Sequence, residues 1–557
     1  MTITTPHSSA PRQYVIVGGV AGGASCAARL RRLDENARII MVERGPYISF
    51  ANCGLPYHIG GVIEDRDSLV VQTPEKFQAR YGVEVRTLTE ASSIDPGAQR
   101  VTLRDLSTGN EEILSYDALV LSPGASPFLP PIPGINSPGI HSLRTIPDMD
   151  RIIQACADDA PRHITVIGAG FIGLEVAENL IHRGIETTII EMGSQVMPGL
   201  DREVATALAR TCRENGIDLR LATTLTAIES SSEGLIAHTD HGTLSTDLIV
   251  VAVGVRPESQ LARDAGLDLT PRSAIAVDAG LRTSDPHIYA IGDVIDVPHR
   301  ITGKSQPMPL AGPANRQGRL VADNIAGLDR TYRGAQGTSI IKLFDTVAAC
   351  TGISEKLARR DAIPHAVAWI HGPSHASYYP GAETLTLKAI FDPTTGRILG
   401  AQGFGKDGVD KRIDVLATAV TAGMTVFQLE ELDLCYAPPF SSAKDPVNHL
   451  GAVAAGMIQK SHPTISVEEL AESGSQPLLI DVRTPEESKQ GSIPGALSIP
   501  LDSLREHLPN LPADRPLVTF CKEGLRGYLA ARILMQHDFD VRNLLGGYQL
   551  WALLQED

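Results

Sequence analysis

Tyr14-Val-Ile-Val-Gly-Gly-Val-Ala-Gly-Gly23 is a short apolar run that passes directly into a glycine-rich turn. Four consecutive apolar residues without alternation fit a parallel strand buried on both faces. The turn, Gly18-Gly-Val-Ala-Gly-Gly23, leads into a helix-like stretch over 24–33, and Ile39-Ile-Met-Val42 supplies the next strand. The same order returns later: a strand over 164–167, the turn Gly168-Ala-Gly-Phe-Ile-Gly173, a helix through Ile181, and a strand over 187–190. Two strand–turn–helix–strand units predict an α/β protein with two Rossmann-like dinucleotide-binding domains.

A dinucleotide turn needs glycine for tight backbone geometry and for close approach to a pyrophosphate, while the helix N-terminus offers N–H donors and a positive dipole end. An acid at the end of the second strand accepts hydrogen bonds from ribose hydroxyls. The second copy supplies Gly168, Gly170, Gly173 and then Glu191. The first copy departs from this pattern. Gly18 and Gly23 hold the outer positions, Val20 holds the middle one, Gly19 and Gly22 flank it, and Glu43 ends the second strand. The run Tyr289-Ala-Ile-Gly-Asp293, with its Gly292-Asp293 pair, follows an apolar stretch and closes a further unit.

At 557 residues the chain is too long for one core, and three or four domains are expected. Its 43% hydrophobic and 20% charged residues are those of an ordinary globular protein. A net charge of −16 argues against bulk binding to nucleic acid or to an anionic membrane, though not against a local basic patch. No apolar run is long enough to span a bilayer, and residues 1–13 lack a secretory apolar stretch, so a cytoplasmic location is expected. Pro- and Gly-rich text around 122–133 reads as a crossover between domains. Strands are predicted over 339–343 and 384–391, helices near 410–430, and a polar connector over 456–464. An α/β stretch of domain size then runs from 465 to the end.

Seven scattered cysteines fit reduced thiols better than a disulfide framework. Two stand in suggestive settings. Cys53 lies in Ser49-Phe-Ala-Asn-Cys-Gly-Leu-Pro-Tyr57, outside any helix or strand pattern, and the residue five positions on is His58, not a second cysteine. Cys521 follows the short apolar strand Leu517-Val-Thr-Phe520 and opens the loop Cys521-Lys-Glu-Gly-Leu-Arg526 before a helix-like run over 528–535. At a strand-to-helix turn, converging backbone N–H groups favour a thiolate and can cradle an anionic persulfide. Cys26, Cys156, Cys212, Cys350 and Cys435 are expected to pack as small apolar groups, and no metal site is assigned.

On these glycine turns and the Gly292-Asp293 pair, the first 455 residues resemble the flavoprotein disulfide reductases with two dinucleotide-binding domains. The resemblance implies FAD in a domain formed by 12–125 and 256–333, held by Gly18, Gly19, Gly22, Gly23, Glu43, Gly292 and Asp293. It implies NADH in an inserted domain over 126–255, held by Gly168, Gly170, Gly173 and Glu191, with an α+β dimerisation domain over 334–455 and a homodimer. Glu191, with no arginine beside it, would repel a 2′-phosphate and so favours NADH over NADPH.

The Cys53 segment is similar to that of the coenzyme A disulfide reductases, which use one cysteine. By that likeness Arg32, Ser49, Asn52 and Arg80 would contact coenzyme A, and Tyr436 with either Tyr378 or Tyr379 would serve the partner subunit's cysteine. Peroxidase and oxidase relatives carry a histidine inside the first glycine turn, where this chain has Ala21. Leu478-Leu-Ile-Asp-Val-Arg483, Gly491-Ser-Ile-Pro-Gly-Ala-Leu497 and the Cys521–Arg526 loop resemble the landmarks of an α/β rhodanese domain over 465–557, with Asp481 and Arg483 structural. The whole chain thus resembles a coenzyme A disulfide reductase–rhodanese fusion, expected to reduce coenzyme A persulfide, polysulfide or coenzyme A disulfide with NADH. Two alternatives remain open: an NADH oxidase, and a sulfur-relay or sensor protein.

Overall fold

The computed structural model describes residues 11–158, 161–232, 234–474 and 477–555. The chain gathers into two compact units, Met1–Met192 with Thr223–Ala335, and Gly193–Ala222 with Gln336–Asp557.

The first unit holds two parallel sheets. One runs Ile288–Ala290, Ala118–Leu121, Gln13–Val17, Arg38–Val42, Glu84–Arg86 in spatial order. The other contains Glu186–Ile190, His163–Ile167, Leu248–Val251 and Ile140–Ser142. The strands at 288–290 and 118–121 belong to one sheet although the second sheet lies between them in sequence, so the second fold is an insertion into the first. The central apolar runs are buried on both faces, as their lack of alternation requires.

The first helix is longer than its residue types imply. It spans Ala21–Leu33, so Gly22 and Gly23 are helical rather than part of the turn. Glycine is a poor helix former, but packing decides here. A Cβ on Gly23 would stand 1.9 Å from the Gly18 carbonyl oxygen, and one on Gly318, in the helix Ala311–Ile325, would stand 2.2 Å from the Gly22 carbonyl oxygen. The glycines let strand, turn and two helices approach closely, and that contact holds their backbone helical.

In the second unit an antiparallel sheet runs Ser339–Leu343, Thr346–Gly352, Ile398–Gly405, Thr384–Phe391, Ala366–Pro373. The helices Val409–Ala422, Val426–Glu430 and Pro446–Ile458 accompany it. Lys388, 0% exposed, lies 3.0 Å from Asp201, 3.2 Å from Glu203 and 2.6 Å from Glu355. Such a cluster ties the 193–222 segment to this sheet, because a buried charge left without its partners is strongly destabilising.

The C-terminal module is a parallel sheet ordered Thr464–Ile465, Val541–Leu544, Leu517–Phe520, Leu478–Asp481, Leu497–Ser498. The connector expected over 456–464 is largely structured. Helix Pro446–Ile458 occupies its start, His462 is buried, and Thr464 begins a strand. The module also shares an apolar cluster with its neighbours: Trp369 and Ala207 pack in one core with Ile465, Phe520 and Leu544. Polar composition alone could not reveal that these residues are held by flanking apolar contacts.

Candidate active site

Both glycine turns open with the same strained step. Gly18 and Gly168 take φ of +100° and +102°, a region that side-chain-bearing residues avoid. The middle position is different. Gly170 has φ −83° and ψ −170°, and Val20 has φ −93° and ψ −141°, so neither backbone demands glycine. What matters there is room: a Cβ at Gly170 meets nothing within 4 Å, which leaves open space beside the helix start. Val20 therefore fits the first turn without strain.

The strand-end acids sit against these turns. Glu43 accepts the N–H of Gly19 at 2.9 Å and of Gly45 at 2.8 Å. Glu191 accepts the N–H of Ala169 at 2.8 Å. Asp293, next to Gly292 in a short 3₁₀ turn, pairs with Arg144 at 2.9 Å, a partner that local motif reading did not find.

Cys53 occupies the 3₁₀ turn Asn52–Gly54, directly before the helix Leu55–Ile59, and is exposed. Its sulfur lies 3.6 Å from the Asn52 side-chain oxygen. Protein packed around the sulfur, with a further contribution from the Glu175 carboxylate, pushes the thiol above its ordinary range. Glu175 was missed by sequence reading. It stands on the helix Phe171–His182, accepts the Tyr57 hydroxyl at 3.2 Å, and is raised to about 7 by burial. His58 turns away, its Nδ1 lying 2.6 Å from the Ile63 carbonyl oxygen.

Arg32 and Ser49 line one cleft of about 310 Å³, together with Ser25, Gln72, Phe77, Tyr81, Asn315 and Arg319. Ser25 donates to the Asn315 side-chain oxygen at 2.6 Å, and the Gln72 side-chain oxygen is buried with no partner among the described residues. Of the other expected contacts, Asn52 stays beside Cys53, and Arg80 is exposed on the helix Pro74–Tyr81; neither lines this cleft. Asn315 and Arg319 come from nearly three hundred residues away, so no local motif signals them.

In the second unit, Tyr378 and Tyr436 join hydroxyl to hydroxyl at 2.8 Å, and both are exposed. Tyr379 instead packs edge-on against His375 at 5.6 Å between ring centres. Cys26, Cys156 and Cys212 are buried as expected, whereas Cys435, beside Tyr436, is exposed and does not pack as an apolar group in this chain. The loop that contains it has no regular structure to bury it.

Cys521 is 2% exposed at the end of strand Leu517–Phe520. One backbone donor reaches its sulfur, the Gly524 N–H at 3.1 Å. The following helix is Leu525–Met535. Arg526 is not free to close the loop alone: both its terminal nitrogens bind Glu487 at 2.7 Å, and that pairing holds Glu487 down to about 2. Glu487 also closes the capping box of helix Pro485–Lys489, and this side of the loop was not anticipated. Asp481 and Arg483 form a buried pair at 2.6 Å, braced by Ser488 and Ser492, a structural role as expected.

Two nucleotide folds with an exposed cysteine turn, and a further parallel-sheet module with a cysteine at a strand-to-helix turn, agree with the class that the family matches define: a flavin-dependent pyridine nucleotide-disulfide oxidoreductase with an appended rhodanese-like module. The pyridine nucleotide-disulphide oxidoreductase description matches residues 12–318, its dimerisation domain 338–446, and the rhodanese-like domain 466–554. The chain belongs to the pyridine nucleotide-disulphide oxidoreductase family, as a flavoenzyme fused to a rhodanese domain.

A coenzyme A disulfide reductase from Staphylococcus aureus (strain JH9) is 36% identical over 449 residues, 79% of this chain and 99% of the relative. The structure of reduced CoADR-RHD from Bacillus anthracis superposes with a TM-score of 0.95 at 47% identity, covering 98% of each chain. A NAD-dependent persulfide reductase from A. fulgidus gives 0.91 at 38% identity, covering 97% of this chain and 100% of the other. A water-forming NADH oxidase from Lactobacillus brevis gives 0.78 at 29%, covering 81% and 99%. No helix among the described residues is long and apolar enough to cross a membrane.

The residues present fit the cofactors that the family uses. Space beside Gly170 and the positive-φ steps at Gly18 and Gly168 are what close approach of a pyrophosphate requires.

Proposed function

We propose that this protein reduces coenzyme A persulfide, polysulfide and coenzyme A disulfide with NADH through the single cysteine Cys53, and that Cys521 carries sulfane sulfur. The observation that carries the reading is the exposed Cys53 turn in the same unit as the cleft of Arg32, Ser49 and Arg319, with no second cysteine in the turn. Two arginines suit the phosphates of a nucleotide tail, and an unshared cysteine suits a mixed disulfide with a small thiol.

In this reading Gly18, Gly19, Gly22, Gly23, Glu43, Gly292 and Asp293 hold FAD, and Gly168, Gly170, Gly173 and Glu191 hold NADH. Bound flavin supplies the two-electron relay from nicotinamide to sulfur. The Cys53 thiolate attacks the coenzyme A sulfur of a persulfide. A Cys53–coenzyme A disulfide bond forms, the sulfur–sulfur bond of the persulfide breaks, and HS⁻ leaves. Two electrons and a proton then return Cys53 as thiolate and release coenzyme A thiol. With coenzyme A disulfide, the first leaving group is coenzyme A thiolate instead. Arg32 and Ser49, joined by Asn315 and Arg319, orient the nucleotide, while Asn52 steadies the cysteine turn. A homodimer, supported by the dimerisation-domain match, would bring Tyr378 and Tyr436 to the partner's cysteine to protonate the departing thiolate. A thiol cycle of this kind suits a reducing, cytoplasmic compartment.

Anaerobic NADH oxidation with coenzyme A persulfide, polysulfide and coenzyme A disulfide, on the parent, Cys53→Ser and Cys521→Ser, tests the reading. Cys53→Ser should keep FAD and lose all three activities, and Cys521→Ser should keep disulfide reduction. NADH consumption that required oxygen would favour the oxidase alternative, against which Ala21 stands in the first turn.

A further inference from the structure

The loop of Cys521 is braced from outside its own module. His371 stands on the strand Ala366–Pro373 of the antiparallel sheet, and its Nε2 lies 3.0 Å from the Gly546 carbonyl oxygen. Because that oxygen can only accept, Nε2 carries the hydrogen. Nδ1 is then an acceptor, satisfied by the Thr386 hydroxyl at 2.8 Å and facing the Gln549 side-chain amide at 3.5 Å. Burial keeps this imidazole neutral, its titration lowered to about 4.

Gly546 caps the helix Gly547–Leu553, and the first N–H groups of that helix grip the cysteine loop. Tyr548 N–H donates to the Cys521 carbonyl at 2.8 Å, and Gln549 N–H donates to the Lys522 carbonyl at 3.0 Å. The contact has no slack: a Cβ on Gly547 would stand 2.6 Å from the Cys521 carbonyl oxygen. A displacement of Gly546 therefore moves Cys521.

A second histidine acts from the other side. His462, buried after the end of the helix Pro446–Ile458, meets the Asn543 side-chain amide at 3.0 Å. The same amide donates to the Gly524 carbonyl at 3.3 Å, and Gly524 N–H donates to the Cys521 sulfur. Plain domain glue would end on the body of the module. Both of these paths end on the backbone that aims at Cys521.

We infer that His371 and His462 are positioning residues for the sulfurtransferase cysteine, so that persulfide formation on Cys521 depends on the docking of the rhodanese module against the antiparallel sheet. This rests on the reading of Cys521 as sulfur carrier. The step concerned is attack of the Cys521 thiolate on the outer sulfur of a sulfane donor. With thiosulfate, a Cys521 sulfur–sulfur bond forms, the donor sulfur–sulfur bond breaks, and sulfite leaves with the electron pair. Cyanide then takes the outer sulfur as thiocyanate and restores the thiolate.

The test uses the full-length, FAD-loaded protein with His371→Ala, His371→Gln and Thr386→Val. Thiosulfate–cyanide transfer gives kcat and KM, and peptide-resolved iodoacetamide labelling of Cys521 against pH gives the thiolate profile. Loss of one aligned hydrogen bond should lower kcat in His371→Ala by about fivefold, leave KM for thiosulfate within about twofold, and move the labelling midpoint upward. His371→Gln, whose amide still donates to Gly546, should recover most of both. An unchanged labelling profile and kcat in His371→Ala, or a His371→Gln as impaired as His371→Ala, overturns the inference. If His371→Ala does not retain FAD, Thr386→Val decides: a shifted profile supports the inference, and an unshifted one overturns it. Cys521→Ser measured alongside separates the two claims. Undiminished sulfur transfer there removes Cys521 as the carrier, while the labelling result still judges the brace.

Discussion

The hydroxyls of Tyr378 and Tyr436 are hydrogen-bonded to each other at 2.8 Å, although 58 residues separate them in sequence. Tyr379, adjacent in sequence to one of them, faces His375 instead. The pair raises the Tyr378 hydroxyl above its ordinary range through its bond to Tyr436. It also presents two phenols as one exposed donor unit on the second unit.

Tyr378→Phe and Tyr436→Phe should each lower coenzyme A disulfide turnover by about a hundredfold, the low end of what a positioned proton donor contributes. Tyr379→Phe should stay near the parent. Steady-state kcat for the three variants checks this, and equal losses at Tyr378 and Tyr379 would remove the distinction.

Glu191, placed against the second glycine turn by the Ala169 N–H, should set nucleotide choice. Glu191→Ala should narrow the ratio of kcat/KM for NADH over NADPH by about tenfold, equivalent to ~1.4 kcal/mol. An unchanged ratio would mean that other residues exclude the 2′-phosphate.

Arg319 lines the cleft with Arg32 and Ser49. Its replacement by alanine should raise KM for coenzyme A disulfide by about tenfold or more with little change in kcat, the pattern of lost uniform binding. A disulfide lacking the nucleotide should be reduced as by the parent. A fall in kcat without a change in KM would place Arg319 elsewhere in the cycle.

Glu175 predicts a pH dependence. Its carboxyl is raised to about 7 in the folded protein against an ordinary value of 4.5, so folding favours its protonated form. The stability it contributes is fully present below about 4.5 and is lost as pH rises through 7. Glu175→Gln should therefore flatten the decline in unfolding temperature over that window. With the carboxylate gone, the Cys53 thiol should also ionise at lower pH, since Glu175 is one of the groups that raise it. Thermal melts and peptide-resolved labelling of Cys53 across the window read both effects, and superimposable profiles for parent and variant would refute the coupling.

The flavoenzyme family and the rhodanese domain were legible in the chain because their signals are local. Short apolar runs such as 14–17 and 517–520, each meeting a glycine-containing turn and then a helix-like stretch, fit doubly buried parallel strands, and the turns at Gly18 and Gly168 demand a backbone that glycine alone adopts easily. Strand-end acids and the two reactive-type cysteines follow from position within those units. What tertiary structure decided are pairings across long stretches of chain. Asn315 and Arg319 join Arg32 in one cleft, and Glu175 reaches Tyr57. Glu487 claims Arg526, Tyr378 rather than Tyr379 meets Tyr436, and His371 braces the loop after Cys521. Periodicity and turn chemistry report the geometry of a few neighbouring residues. A contact between elements far apart in sequence depends on how whole sheets and helices pack, and no single segment carries that information.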